Sequence, residues 1–331
     1  MPTLLIGTPD GLFAKPLDRS SDPYLLGMGG GGIGAIRSIV VPDLQDPRLI
    51  YVSTTRAGVW HSEDGGSSWQ EVNQGLVYKE VWSLARQPNT GDLYAGTGPA
   101  ALFRSKDDGS SWEEFEYLRS IEGRSDWFLH LPPFFPHIRD VAFSHGDSSL
   151  VVCAVEEGGI LMTNDAGGNW VNVRDGICSD VHSVAMMADN AKILLAATGD
   201  GTYRSTDGGS NFELCAGIDK HYSTHVLTDV RLPHTVVAIA SDNQPRHWRT
   251  STGAGTGFFV SSDSGASWLR LAGEVTGYLQ AGAHASIWDP FDERYVFAGL
   301  SDGSIWRLGL SGSAELWHSG LPPATALAIT A

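Results

Sequence analysis

The chain has 331 residues, of which 42% are hydrophobic and 18% charged, so it carries enough apolar side chains for a large buried core. Its formal net charge is −16, and Lys and Arg form no run anywhere. Because nucleic acids and anionic membrane surfaces are bound through basic patches, we expect neither as a partner. The three cysteines (Cys153, Cys178 and Cys215) form no Cys-x-x-Cys pair, and their odd number argues against a disulfide framework or a thiolate zinc site.

The first elements along the chain are short strands. Residues 3–6 and 11–13 form apolar segments separated by a turn sequence, and the start has no basic region of the kind that begins a signal peptide. No stretch of about 18 apolar residues is present to span a bilayer. The sequence therefore predicts a cytoplasmic protein. Residues 29–34 (GGGGIG) contain a GxGxxG-like run without a following βαβ unit, so we interpret them as a loop and not as a dinucleotide site.

One eight-residue motif, S/T-x-D-x-G-x-x-W/F, recurs five times after these strands. The copies are residues 62–69 (SEDGGSSW), 105–112 (SKDDGSSW), 163–170 (TNDAGGNW), 205–212 (STDGGSNF) and 261–268 (SSDSGASW). In such a motif the Asp accepts hydrogen bonds from turn amides, the Gly takes a positive φ, and the aromatic side chain packs between sheets. The motif therefore predicts a repeated hairpin turn, which is evidence for architecture and not for chemistry.

This motif resembles the Asp-box of bacterial sialidases, sortilin-type receptors, xyloglucanases and photosystem assembly factors. The opening segment LLIGTPDGLF is similar to the start of bacterial sialidase-like (BNR-type) repeat proteins. The resemblance extends over nearly the whole chain and implies a β-propeller. It implies no single function, because these groups differ in what they do.

The spacing of the copies predicts the number of blades. Successive copies start 43, 58, 42 and 56 residues apart, which fits a four-stranded blade of about 42 residues with two insertions. Six inner strands are predicted to start near Ile36, Val81, Ile138, Val181, Leu227 and Ala283. Residues 324–330 form a further inner strand, and pairing them with the N-terminal strands closes a seventh blade and removes two free sheet edges. We therefore predict a single domain, residues 1–331, folded as an all-β, seven-bladed propeller; a six-bladed ring is the alternative, and it leaves both termini unpaired.

Two insertions fall in connections on the upper face, where the inner strands begin. Residues 118–135 lie between two blades, and residues 241–256 lie between the second and third strands of a later blade. Long loops on one rim of a rigid scaffold are common binding elements. Their aromatic residues, including Trp127 and Trp248, suggest a lid over the channel.

Histidines occur at the same upper level of several blades. Counting back 19 residues from the glycine that opens a third strand reaches His182 in one blade and His284 in another. His137 and His225 lie within a few residues of this level on two further blades. Neutral imidazoles from separate blades can converge on one ion, so these four histidines are candidate ligands of a divalent metal. The alternative is that they hydrogen-bond neighbouring strands around a wet channel.

The remaining candidates complete this upper site. The catalytic candidates are His137, His182, Arg37 and Arg139. Candidate substrate contacts are Glu80, Trp82, Asp180, Trp127 and Trp248. In this interpretation a histidine or a metal acts as base or Lewis acid, while an arginine stabilises developing negative charge.

Two functions follow as hypotheses. The first is an enzyme, a hydrolase or lyase, that binds a small anionic or aromatic molecule at the top of the channel. The second is a non-catalytic scaffold that binds another protein. The motifs argue against a sialidase, because only Ile36-Arg37 approaches the Phe/Tyr-Arg-Ile-Pro sequence of those enzymes.

Overall fold

The protein is a seven-bladed β-propeller of four-stranded antiparallel sheets. The computed structural model describes residues 1–18, 20–28, 32–130, 132, 134–272 and 278–331. The glycines predicted to form a loop at residues 29–31 lie outside these ranges. No helix in the described part of the chain is long and apolar enough to cross a bilayer.

The first three blades follow one another along the chain. From inner to outer strand, blade 1 contains β4 (Ile36–Val40), β5 (Ile50–Thr54), β6 (Gly58–Ser62) and β7 (Gln70–Glu71). Blade 2 contains β8 (Glu80–Arg86), β9 (Leu93–Gly98), β10 (Leu102–Ser105) and β11 (Glu113–Glu114). Blade 3 contains β12 (His137–Phe143), β13 (Val151–Glu156), β14 (Gly159–Thr163) and β15 (Val171–Val173).

The next three blades repeat this order. Blade 4 contains β16 (Val181–Met186), β17 (Leu194–Thr198), β18 (Gly201–Ser205) and β19 (Glu213–Leu214). Blade 5 contains β20 (Tyr222–Asp229), β21 (Leu232–Ser241), β22 (Gly257–Ser261) and β23 (Leu269–Leu271). Blade 6 contains β24 (Ala283–Trp288), β25 (Tyr295–Leu300), β26 (Ile305–Gly309) and β27 (Ser313–His318). Short 3-10 helices occupy Glu116–Ser120, Arg124–Asp126 and Pro245–His247.

Blade 7 is assembled from both ends of the chain. Its inner strand β28 (Ala326–Thr330) pairs antiparallel with β1 (Thr3–Thr8), and β2 (Gly11–Pro16) and β3 (Tyr24–Gly27) follow outward. The predicted closure is confirmed, and the six-bladed alternative is wrong because the termini do pair. The start predicted for the fifth inner strand, Leu227, is also wrong: β20 begins at Tyr222, because a polar segment opens this strand.

The five repeated motifs form one kind of turn on the lower face, between the third and fourth strands. In the first copy the Ser62 hydroxyl donates to Asp64 Oδ1 at 2.8 Å, and the Gly66 amide donates to Ser62 Oγ at 2.7 Å. Ser68 donates its backbone N–H to Asp64 Oδ1 and its hydroxyl to Oδ2. The other four copies make the equivalent four bonds, with an asparagine side-chain amide in place of the second serine hydroxyl in the third and fourth copies. These bonds, those from Ser68 first, lower the pKa of Asp64 to about 2.

The upper ends of the inner strands share a different feature, a one-residue β-bulge. In each of blades 1 to 6, one residue of the inner strand has no partner in the ladder with the second strand, and the register shifts there. The skipped residues are Arg37, Trp82, Arg139, His182, Thr224 and His284. In blade 7, Thr325 precedes β28 and its amide donates to Gly7 O at 2.7 Å, next to the first ladder pair. A bulge redirects side chains, so these seven, here called the rim residues, are presented at one level of the channel.

In blades 1 to 5 the residue after the bulge connects neighbouring blades. Ser38 Oγ accepts from the Leu84 amide at 3.0 Å, Ser83 Oγ donates to Ile138 O at 3.0 Å, and the Val184 amide donates to the buried carboxylate of Asp140. The corresponding bonds of Ser183 reach blade 5. In blade 7 the rim residue Thr325 makes the contact to the next blade, because its hydroxyl donates to Ile36 O at 2.5 Å. These polar groups hold the inner strands together directly beneath the rim.

Candidate functional site

The rim residues all line one cavity of about 320 Å³ at the upper end of the channel. Each comes from a different blade, so the cavity is formed by the whole ring and not by one loop. Two are arginines, two are histidines, two are threonines and one is a tryptophan. Polar groups therefore converge here, as the sequence predicts for Arg37, Arg139, His182 and His284.

Arg37, Trp82 and His137 form a layered stack on one side of the cavity. The guanidinium carbon of Arg37 lies 4.3 Å from the centroid of the Trp82 ring. His137 stacks on the same indole with ring centroids 3.8 Å apart and an interplanar angle of 23°. The Trp82 Nε1 donates to Glu80 Oε1 at 3.1 Å. Because the indole is stacked on by both Arg37 and His137, it has little free surface on which a ligand could stack.

Arg37 has no hydrogen-bond acceptor or carboxylate partner among the described residues. Its Nε is buried and makes no hydrogen bond, and its guanidinium makes a cation–π contact with Trp82. The side chain is partly buried and borders the cavity. Burial, with repulsion from Arg139, lowers the pKa of Arg37 to about 10, so it remains a cation at neutral pH. A buried cation without a partner is costly unless a ligand supplies the counter-charge.

Arg139 differs from Arg37 because it has a carboxylate partner. Its Nη1 donates to Glu156 Oε2 at 2.6 Å, and His137 Nε2 lies 3.0 Å from the same oxygen. Although this distance is short, the N–H direction at His137 Nε2 does not point at the Glu156 oxygen, so His137 Nε2 makes no hydrogen bond to it. Burial by itself would raise the pKa of Glu156, but Arg139, together with His137 and His182, outweighs burial and holds that pKa well below its usual value.

His182 is held between two acceptors. Its Nδ1 lies 2.6 Å from Ser223 O, and its Nε2 lies 3.0 Å from Asp180 Oδ1. A carbonyl oxygen and an ionised carboxylate only accept, so both ring nitrogens must donate, which requires the imidazolium form. Burial would lower the pKa of His182, but the Asp180 carboxylate outweighs it and the pKa is raised. His182 is therefore positioned as a protonated acid beside the cavity.

His225 and His284 are neutral. Burial, followed by the positive charge of Arg139, lowers the pKa of His225 to about 3. Burial, followed by the charge of Arg37, lowers the pKa of His284 to about 3. His225 occupies the position after the bulge, and its ring contacts the His284 backbone in blade 6. It thus takes the place that serines and an aspartate hold in other blades, connecting adjacent inner strands.

The four histidines predicted as metal ligands do not form one ligand set. His137 lies behind Trp82 and does not line the cavity, and His225 connects two blades. Within the described ranges, the group whose ligand atoms all lie within 4.8 Å of one another consists of Glu156, Asp180 and His182. The alternative of histidines hydrogen-bonded within the fold describes His225 better than the metal interpretation does.

The two tryptophans predicted to contact substrate are core residues instead. Trp127 is only 7% exposed and packs in the apolar cluster between blades 2 and 3. Trp248 is equally buried, donates its Nε1 to Asn243 O at 2.7 Å, and packs against Tyr222 and His284. Both insertions are thus anchored by a tryptophan, and neither indole lines the cavity. The physical reason is that a large apolar ring gains more free energy from burial than from exposure at a rim.

Sequence reasoning missed Glu156, Tyr222, Thr224 and Thr325. Glu156 ends a second strand, and its position opposite His137 in the ladder was the available signal. Tyr222 is buried with its ring 4.6 Å from that of His182. Counting back 19 residues from a third strand does not reach Thr224 or Thr325, because blade 5 has an insertion and blade 7 is split between the termini.

Comparison with known proteins supports the fold and leaves the function open. No protein-family model matches the chain, and no curated protein sequence matches it. The GH74 xyloglucanase from Xanthomonas campestris superposes with a TM-score of 0.71 at 17% identity over 96% of this chain. A structure titled YCF48 bound to D1 peptide gives 0.60 at 17% identity over 92% of this chain and 89% of that one. A putative 6-phosphogluconolactonase from Bacteroides uniformis gives 0.64 at 13% identity over 99% of both chains.

The chain is shorter than the glycoside hydrolases among these neighbours. It covers 52% of the Xanthomonas enzyme and 39% of an ancestral GH74 enzyme. The neighbours are propellers with differing functions, and at these identities they establish the β-propeller alone.

Proposed function

We propose that the rim cavity binds a small anionic molecule and that the groups around it promote its hydrolysis or an elimination from it. The observation that carries this proposal is Arg37, whose Nε is buried and unpaired and whose guanidinium borders the cavity without an acceptor in the described chain. An unpaired cation of this kind destabilises the fold, and such destabilising groups are typically found at functional sites.

The rim residues would have separate roles in this reaction. Arg37 would bind the anionic group of the substrate and stabilise negative charge as it develops. His182, held as an imidazolium by Asp180 and Ser223 O, would keep a positive charge beside the cavity and stabilise negative charge that develops on the leaving group. Arg139 would keep Glu156 ionised, so that this carboxylate can accept a proton from an attacking water or from the substrate.

The divalent metal expected from the sequence stays a prediction, with altered ligands. Glu156, Asp180 and His182 offer the donor atoms that lie close together. Two features favour acid–base chemistry over metal binding at these residues. Glu156 is already paired with Arg139, and both ring nitrogens of His182 donate hydrogen bonds, which leaves neither nitrogen with a free lone pair for a metal. Elemental analysis tests this; one equivalent of metal in the wild type that is lost in Asp180→Asn would favour the metal.

A second candidate function is the binding of a protein segment at the upper face. Two phenylalanines of the insertion at residues 118–135, Phe128 and Phe134, are 54% and 60% exposed. Exposed aromatic side chains beside a cavity are typical of protein interfaces, and the neighbour YCF48 is in complex with a peptide. In this alternative Arg37 would bind an acidic group of the partner segment, and no turnover would occur.

We also infer that the five lower turns are Asp-box repeats and that the chain is a BNR-type repeat protein. Their shared hydrogen bonds support this inference. It assigns no reaction, because these turns lie on the face opposite the cavity.

The proposal is tested by unfolding midpoints measured with a panel of small carboxylic and phosphorylated compounds. We expect at least one compound to raise the midpoint of the wild type and to lose this effect in Arg37→Gln. The matched control is Arg48→Gln, which removes an exposed arginine paired with Asp46 outside the cavity. Compounds that bind are then followed for turnover in wild type and His182→Asn.

Equal shifts in wild type and Arg37→Gln would place binding elsewhere and contradict the proposal. Binding that depends on Arg37 but occurs without turnover would support the second candidate.

A further inference from the structure

We propose that the group recognised at the rim is a carboxylate with a single negative charge, not a phosphate. This inference rests on the proposed anion site and specifies its chemistry. It follows from how the charges at the rim are paired and from the surroundings of Arg37.

One of the three cations at the rim has no direct ion-pair partner. Arg139 is matched by Glu156 at 2.6 Å, and the His182 imidazolium is matched by Asp180 at 3.0 Å. The other two histidines that line the cavity, His225 and His284, have pKa values lowered to about 3 and add no charge. Arg37 is then the one rim cation in the described chain that makes no hydrogen bond or ion pair with a carboxylate. One bound monoanion would complete the pairing.

A second negative charge on the ligand would be repelled. Glu80 accepts a hydrogen bond from Trp82, the same indole that contacts Arg37, so a carboxylate already lies near the guanidinium. The chain as a whole has a net charge of −16, which disfavours the approach of a dianion. A phosphate monoester is mostly dianionic at neutral pH, since its second pKa is about 6.

The position of Arg37 also favours a planar acceptor. The indole of Trp82 lies against the guanidinium and His137 supports the indole from the other side, so the stack restricts the orientation of Arg37. The Nε donor is unpaired. A carboxylate matches a guanidinium fork with two parallel hydrogen bonds, and such pairs are stronger than single contacts.

The rest of the ligand extends toward His182. Arg37 belongs to blade 1 and His182 to blade 4, three steps around a ring of seven blades, so they lie on nearly opposite sides of the cavity. The cavity of about 320 Å³ limits the ligand to a small molecule. We therefore infer a compact monocarboxylate whose reacting end is opposite its acid group.

The test compares three probes that share one ring: benzoate, phenyl phosphate and benzamide, titrated calorimetrically at pH 7.5 into the full chain. We expect benzoate to bind at least about tenfold more tightly than phenyl phosphate, a difference of about 1.4 kcal/mol. Benzamide, which has the same shape without the charge, should bind at least as weakly as phenyl phosphate. Arg37→Gln should lose benzoate binding, Arg37→Lys should retain part of it, and Arg48→Gln should match the wild type.

The outcomes separate this inference from the anion site itself. Tighter binding of phenyl phosphate that still depends on Arg37 would overturn the carboxylate assignment and leave the anion site in place. Equal binding of benzoate and benzamide would overturn it too, because charge would then have no part. Absence of binding by all three probes at 10 mM, about the weakest affinity that calorimetry follows, would count against both proposals.

Discussion

The two faces of this propeller use polar side chains in opposite ways. On the lower face, five turns repeat the same four hydrogen bonds, and each aspartate is satisfied within its own turn. On the upper face, seven equivalent positions hold four different residue types, and Arg37 has no acceptor among the described residues. Repetition marks what every blade needs in order to fold. The rim positions share one backbone geometry but differ in side chain, so these side chains are the ones available to bind a ligand.

The largest effect should come from removing the element that closes the ring. Deleting residues 324–331 removes β28 and leaves the inner edge of β1 unpaired. We expect no folded protein, judged by circular dichroism and by yield in the soluble fraction. Deleting Ala331 alone leaves the β1–β28 ladder intact and is the matched control. An unchanged melting temperature of the longer deletion would refute the closure.

Within the repeated turns, the aromatic residue should matter according to its burial. Trp112 is 4% exposed and donates its Nε1 to Val72 O of blade 1 at 2.8 Å, so it joins two blades. Trp112→Ala should lower the free energy of unfolding by about 3–5 kcal/mol in denaturant titrations. Trp69 is half-buried and bonds to Gly66 of its own turn, so Trp69→Ala should cost less. Equal denaturant midpoints for both variants would show that the inter-blade contact has no added effect.

The sequence predicts the scaffold well and the site only in part. The motif and the 42-residue spacing are local and repeated, and therefore predict the blades and their closure. His182 and His284 were placed at one level correctly by counting from a third strand. Trp127, Trp248 and His137 were misplaced, because whether a ring packs inward or borders a channel depends on neighbours far apart in sequence. Glu156 was missed for the same reason: its ion pair with Arg139 is visible only once β12 and β13 are paired.

The buried histidines should make the stability of the rim depend on pH in two directions. His225 and His284 have pKa values lowered to about 3, so the unfolded chain binds more protons between pH 6.5 and 3 and the protein loses stability as the pH falls. Each such group contributes a slope of at most about 1.4 kcal/mol per pH unit. His225→Asn should flatten the curve of unfolding free energy against pH in this range.

His182 should act with the opposite sign. Its pKa is raised in the folded protein, so its stabilising contribution is complete below the pKa of the unfolded state and is lost as the pH rises through the folded value. The stability difference between wild type and His182→Asn should therefore be larger at pH 5 than at pH 9. Parallel curves for wild type and variant would contradict the imidazolium assignment.

The smallest effect concerns Arg37, and its sign is the informative quantity. If Arg37 is kept for a ligand, the ligand-free protein should become slightly more stable when the charge is removed and the apolar stem remains. We expect Arg37→Met to raise the free energy of unfolding by about 0.5–2 kcal/mol in urea titrations at pH 7.5. Arg48→Met, at an exposed arginine, should stay within about 0.5 kcal/mol of the wild type. A loss of more than about 1 kcal/mol in Arg37→Met would contradict the central claim, because it would show that the guanidinium serves the fold and not a ligand.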